Sequence, residues 1–126
     1  PHRVSRETDL GDSIMTAIAL APFAGYPVQF TDLGRLRVQE CERVQALRTE
    51  LTKCGARVEE DGDTLTVFPT PLHGAEIETY NDHRMAMAFA PVGLLREIVI
   101  HEPSVVAKSY PSFWNHVEIL LKSSTI

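Results

Sequence analysis

The sequence predicts an α/β fold, with helices and strands alternating along the chain and packing in layers. Three observations carry that prediction. Apolar residues recur at helical spacing in several stretches, as at Val44, Leu47 and Leu51. Between those stretches lie short runs that alternate apolar and polar residues, the period-two signature of a half-buried strand. The order of elements also repeats: Asp-x-x-Met opens an Ala-rich run at Asp12 and again at Asp82, 70 residues on. Each run leads to a short strand and then to a second helix. Two copies of one supersecondary unit, at about 1–70 and 71–126, account for the echo.

Taken in order, Asp12–Ala24 reads as a buried helix with Asp12 as its N-cap. Pro22 ends or kinks its last turn, and Gly25 suits the stop. Pro27–Leu33 alternates as a strand does. A long helix is expected from Leu36 through Cys54, closed by Gly55 just past its C-terminus. Arg57–Glu60 and Thr64–Phe68 flank Asp61-Gly62-Asp63 and read as a hairpin. Ala75–Tyr80 is a further strand, and a helix follows from His83, with Pro91 as a possible kink. Glu97–Glu102 reads as a strand, and Tyr110–Ser123 as the final helix.

The chain has 126 residues, 44% of them hydrophobic, which supports one ordinary domain with a real core. Its formal net charge of −5 argues against nucleic acid or an anionic membrane surface as the main partner. No apolar run reaches the ~20 residues of a membrane helix. The N-terminal PHRVSRETDL has no apolar signal-peptide core and no initiator Met, as a fragment or processed product would not. Cys41 and Cys54 both fall in the expected long helix, 13 residues apart. At about 1.5 Å per residue that is too far for a disulfide. Neither belongs to a zinc-type pair, and two free thiols suit a reducing compartment, the cytoplasm.

Charged groups gather at helix starts. Glu40 and Arg43 stand three residues apart and would share a helix face; taken alone, they are better explained by a solvated, ion-paired face than by a site. At Asn81-Asp82-His83-Arg84, capping accounts for Asp82 but not for two cationic residues behind it. Cations oppose the dipole at a helix N-terminus, so their presence asks for an anion there; a tolerated surface His-Arg pair is the plain alternative. Lys108, between a strand and the last helix, carries little alone. The repeat would set equivalent helix mouths on one rim, bringing together Asp12, Glu40, Arg43, His83, Arg84 and Lys108. Two carboxylates, three strong cations and an imidazole suit an anionic substrate and proton transfer.

DLGDSIMTAIALA, LRVQECERVQALRTELTKCGARVEEDGDTL, IETYNDHRMAMAFA and AKSYPSFW, in that order, resemble the C-terminal part of the 5-enolpyruvylshikimate-3-phosphate (EPSP) synthases, the 3-phosphoshikimate 1-carboxyvinyltransferases. The resemblance implies an inside-out α/β barrel built from repeated βαβαββ units, about two of which are present here. It implies transfer of the enolpyruvyl group of phosphoenolpyruvate to the 5-hydroxyl of shikimate 3-phosphate, releasing phosphate, on the route to chorismate and aromatic amino acids. No cofactor and no metal are implied.

Residue by residue, the resemblance assigns Arg43, Arg84 and Lys108 to phosphoenolpyruvate, and Asp12 to the shikimate hydroxyls as the candidate base. Glu40 would move the proton at the methylene carbon, and His83 would stand beside the phosphoenolpyruvate arginine. Gln39 takes a position at shikimate 3-phosphate where the family usually has Lys, and Arg35 one where it often has Asn. The family enzyme is several times longer, so the remainder of the chain is expected to complete the cleft, and the isolated segment to be inactive. The related UDP-N-acetylglucosamine enolpyruvyltransferases share the chemistry, but DHRMAMA followed by K-x-Y-P favours the shikimate enzyme. A non-catalytic anion-binding fragment is the remaining alternative.

Overall fold

The computed structural model describes residues 2–39, 41–94 and 99–100. Strand β1 (His2–Ser5) comes first, followed by helix α1 (Ile14–Leu20) and strand β2 (Val28–Thr31). Helix α2 (Arg43–Lys53) then leads into a hairpin of β3 (Val58–Asp61) and β4 (Thr64–Val67). Strand β5 (Glu76–Ile77), helix α3 (His83–Phe89) and strand β6 (Val99–Ile100) follow. From β1 to β4 the order is βαβαββ. β1 and β2 pair in parallel, β4 lies antiparallel to β2, and β3 closes the sheet order β1-β2-β4-β3. β5 and β6 form a second parallel pair with a helix between them, as in β1–α1–β2.

The sheet buries alternate residues, Val28 and Phe30 on β2 and Leu65 and Val67 on β4, as a strand with one covered face must. The helices bury theirs at helical spacing: Ile14, Met15 and Ile18 on α1, Val44, Leu47 and Leu51 on α2, Met85 and Phe89 on α3. These residues and Ile77 of β5 belong to one continuous core.

Several expectations change. Asp12 is not the N-cap of α1: a 3₁₀ turn over Gly11–Ser13 precedes the helix, and Ser13 takes the cap position without a side-chain bond. Gly25 does not act as a left-handed stop, because the 3₁₀ turn Ala21–Phe23 runs into extended backbone at Ala24. The expected long helix breaks in two. Gly34–Val38 is a 3₁₀ turn, and α2 starts only at Arg43, where the Glu42 carboxylate accepts from the amides of Val44 and Gln45. Arg37 fastens that break, donating to Glu42, Glu60 and Asp63 and to the carbonyl of Gly62. Cys41 therefore lies outside α2, which Cys54 caps, and the shared face expected for Glu40 and Arg43 lies outside the described residues. β1 was not expected at all, and β5 is shorter than Ala75–Tyr80. The final helix expected over 110–123 lies outside the described residues.

Two turn expectations hold. Asp61 joins its strand, leaving Gly62-Asp63 as a two-residue turn with Gly62 at φ +58°. Past α2, the Gly55 amide donates to Thr52 and the Ala56 amide to Leu51, the paired bonds of a Schellman stop, with Gly55 at φ +91°. A Cβ on Gly55 would sit 2.9 Å from the His73 ring, whereas one on Gly62 would meet nothing within 4 Å. Both positions strain an alanine through φ alone, and only Gly55 adds a clash. Gly55→Ala is expected to cost on the order of 1–3 kcal/mol and more than Gly62→Ala. Urea midpoints of the two variants check this; equal midpoints would contradict it.

Candidate active site

The N-termini of α2 and α3 meet at one carboxylate. Asp82 caps α3, accepting from the Arg84 amide at 2.9 Å through Oδ1. The same carboxylate takes a two-pronged bond from Arg43, the first residue of α2: Nε donates to Oδ2 at 2.6 Å and Nη2 to Oδ1 at 3.1 Å. The Cys41 thiol donates to Oδ2 at 3.3 Å. Both charged side chains are out of solvent, Arg43 at 3% and Asp82 at 0% exposure. Burial alone would raise the Asp82 pKa; the bonds from Arg43, the Arg84 amide and Cys41 outweigh it and hold the carboxylate below its ordinary 3.8. Burial, with the neighbouring Asp82, pushes the Cys41 thiol up to about 12, so it is a hydrogen-bond donor rather than a thiolate at neutral pH.

The backbone before Asp82 is unusual. Tyr80 and Asn81 both lie in the left-handed region, at φ 55° and 54°, and the Asp82 amide donates back to the Thr79 carbonyl at 2.9 Å. Two consecutive left-handed residues without a glycine require support from outside the turn. Glu50, 1% exposed on α2, provides it. Its carboxylate accepts from the Glu78 amide at 2.9 Å and from the Tyr80 hydroxyl at 2.6 Å. Lys53 balances that charge at 2.6 Å.

The structure thus brings Arg43, His83 and Arg84 together. His83 Nδ1 is 3.9 Å from Asp82 Oδ1, with the ring 27% exposed. Arg84 is half-buried, and its guanidinium has no carboxylate partner among the described residues. Asp82 thus answers Arg43 and the helix end, and among the described residues no carboxylate answers Arg84. Gln39 is exposed, with its amide donating to the Arg35 carbonyl at 3.2 Å. Asp12 sits in the 3₁₀ turn before α1, but its side chain, Glu40 and Lys108 lie outside what is described. Sequence reasoning missed the roles of Cys41, Glu50 and Tyr80. A signal for Glu50 did exist: it stands seven residues from Arg43, on the side of α2 that carries Leu47 and Leu51.

A family model described as EPSP synthase (3-phosphoshikimate 1-carboxyvinyltransferase) matches residues 7–117. The chain belongs to the EPSP synthase family. Among curated relatives, the 3-phosphoshikimate 1-carboxyvinyltransferase of Nostoc punctiforme is 45% identical over 107 residues, covering 84% of this chain and 25% of that protein. The one from Haemophilus influenzae is 42% identical over 117 residues, covering 89% and 27%. Among solved structures, the EPSP synthase of Acinetobacter baumannii superposes with a TM-score of 0.72 at 30% identity, over 79% of this chain and 25% of that one. The enolpyruvyl transferase NikO of Streptomyces tendae gives 0.70 at 19% identity, a likeness of fold, over 95% of this chain and 28% of that one. The α/β enolpyruvyltransferase fold expected from the sequence is thereby shown. The chain spans about a quarter of the length of the curated relatives it matches. Among the described residues, no helix is long and apolar enough to cross a membrane.

Proposed function

We propose that the complete protein transfers the enolpyruvyl group of phosphoenolpyruvate to the 5-hydroxyl of shikimate 3-phosphate, and that this segment forms one wall of the cleft. The observation that carries the reading is the single carboxylate oxygen, Asp82 Oδ1, that accepts from both Arg43 and the Arg84 amide. It links the Arg43 side chain to the backbone at Arg84, which supports a shared role for the two arginines. Arg43 spends two of its five N–H donors on Asp82 and makes no other side-chain bond among the described residues. Arg84, whose guanidinium has no partner among the described residues, carries a planar fork that matches phosphate and carboxylate.

In this reading Arg43, Arg84 and Lys108 hold phosphoenolpyruvate. Glu40 gives a proton to the methylene carbon, which makes the neighbouring carbon electrophilic. The 5-hydroxyl adds there and loses its proton to Asp12, giving a tetrahedral ketal phosphate. Phosphate then leaves as the methyl group returns its proton and the double bond re-forms. His83 lines the arginine side of the site, and Gln39 faces shikimate 3-phosphate. The division into units at about 1–70 and 71–126 is part of the same proposal; the helix-bridged parallel pairs β1–β2 and β5–β6 support it. A cytoplasmic setting suits the two free thiols, Cys41 and Cys54.

The test is phosphate release by the complete protein, offered phosphoenolpyruvate with either shikimate 3-phosphate or UDP-N-acetylglucosamine. Turnover is expected with the first acceptor and none from the isolated 126-residue segment. Turnover with the UDP-sugar alone, or by the segment alone, would overturn the reading.

A further inference from the structure

α2 grips the turn that carries His83 and Arg84 at two points. At its first residue, Arg43 holds Asp82, the last residue before α3. Two turns further along the same side, Glu50 holds the other end of the segment through the Glu78 amide and the Tyr80 hydroxyl. Between the two grips lie the left-handed residues Tyr80 and Asn81. Tyr80 is 40% exposed, so its ring is not anchored by burial, yet its hydroxyl turns inward to a carboxylate that is 1% exposed. Burial and the Glu50 charge raise the phenol's pKa above its ordinary 10, so it stays a donor at neutral pH.

We propose that Glu50 and Tyr80 are positioning residues for phosphoenolpyruvate: their contact sets the 78–82 turn and, through it, the place from which Arg84 meets the ligand. The idea rests on the proposed reaction for its ligand, though not for the grip itself. Neither residue touches substrate in this scheme. A misplaced guanidinium fork costs affinity for the anion it should clamp, and the acceptor alcohol, held elsewhere, is affected little.

The complete protein carrying Tyr80→Phe keeps the ring and loses only the hydroxyl. Its KM for phosphoenolpyruvate is expected to rise roughly 3- to 10-fold, the scale of one hydrogen bond to a charged group. Its KM for shikimate 3-phosphate and its kcat should stay within about twofold. Glu50→Gln, which keeps one acceptor oxygen where the carboxylate offers two, should keep more of the affinity than Glu50→Ala. A purely structural role would instead move both KM values together with Tm, or move neither; either result overturns the proposal. Amide hydrogen exchange over residues 78–84 is read in parallel and needs no turnover. Tyr80→Phe should speed exchange there by roughly tenfold if the grip exists, and unchanged exchange would refute it. If the parent protein turns over no phosphoenolpyruvate while exchange in the variant accelerates, the reaction assignment fails and the grip stands.

Discussion

Asp82→Ala is expected to remove about 3–5 kcal/mol from the stability of the complete protein, the largest single effect anticipated here. The cause is less the lost attraction than what remains behind. Arg43 would keep its charge at 3% exposure with its carboxylate gone, and α3 would lose its cap. Asp82→Asn keeps an acceptor for the Arg84 amide but loses the charge and the second acceptor oxygen that serves Arg43 Nε and Cys41, so its cost should fall between those of the parent and Asp82→Ala. Replacing both partners, Arg43→Met with Asp82→Leu, should recover much of the loss, because two buried charges are removed together. That double variant would be stable and unable to bind phosphoenolpyruvate. Denaturant midpoints at constant m-value measure the series; an Asp82→Ala midpoint within 0.5 kcal/mol of the parent, on the order of a neutral surface change, would contradict it. Acid acts on the same pair. Asp82 has a folded pKa lower than its unfolded one, so its contribution is fully present above the ordinary 3.8 and fades as pH falls below it through the folded value. Asp82→Asn should flatten that part of the stability profile.

Arg84→Ala should have the opposite signature. With no carboxylate partner among the described residues, Arg84 gives the fold little, and its removal should change stability by no more than about 0.5 kcal/mol. In the proposed reading, loss of a clamp on a ligand carrying a phosphate and a carboxylate is worth about 3 kcal/mol, so KM for phosphoenolpyruvate should rise on the order of 10²-fold. Arg84→Lys keeps the charge but not the planar fork and should recover only part of that. Arg43→Ala should lose both stability and affinity, and this contrast separates the arginine that builds the wall from the one that faces the ligand. An Arg84→Ala protein with unchanged affinity would remove Arg84 from the site.

The parts of the fold that could be read from sequence are those governed by local rules. Gly55 and Gly62 stand where left-handed backbone is needed, and the apolar spacing of Val44, Leu47 and Leu51 marks the inner side of α2. The misreadings came from long-range bonds that no local pattern encodes. The start of α2 is set at Glu42, whose other oxygen is held by an arginine tied to the distant β3–β4 hairpin. β1 has no visible pattern because it is exposed at its start and gains its partners from β2. In the candidate site, charge crowding around Asp82 was legible, but its partner was not. Asp82 and Arg43 are 39 residues apart, and only the packing of α2 against α3 reveals that Asp82 is the counter-ion.

That separation also has a consequence for how the chain is made. Arg43 leaves the ribosome 39 residues ahead of Asp82, an interval on the order of seconds at ordinary rates of synthesis. During it α2 can form its own hydrogen bonds, but its first turn cannot be sealed from water while a guanidinium waits for its partner. The same holds for Glu50, whose amide and phenol donors arrive 28 and 30 residues later. The division proposed near residue 70 would thus mark a unit of pattern and not of assembly. α2 leaves synthesis with two open sockets, and the 78–82 turn is the plug that fits both.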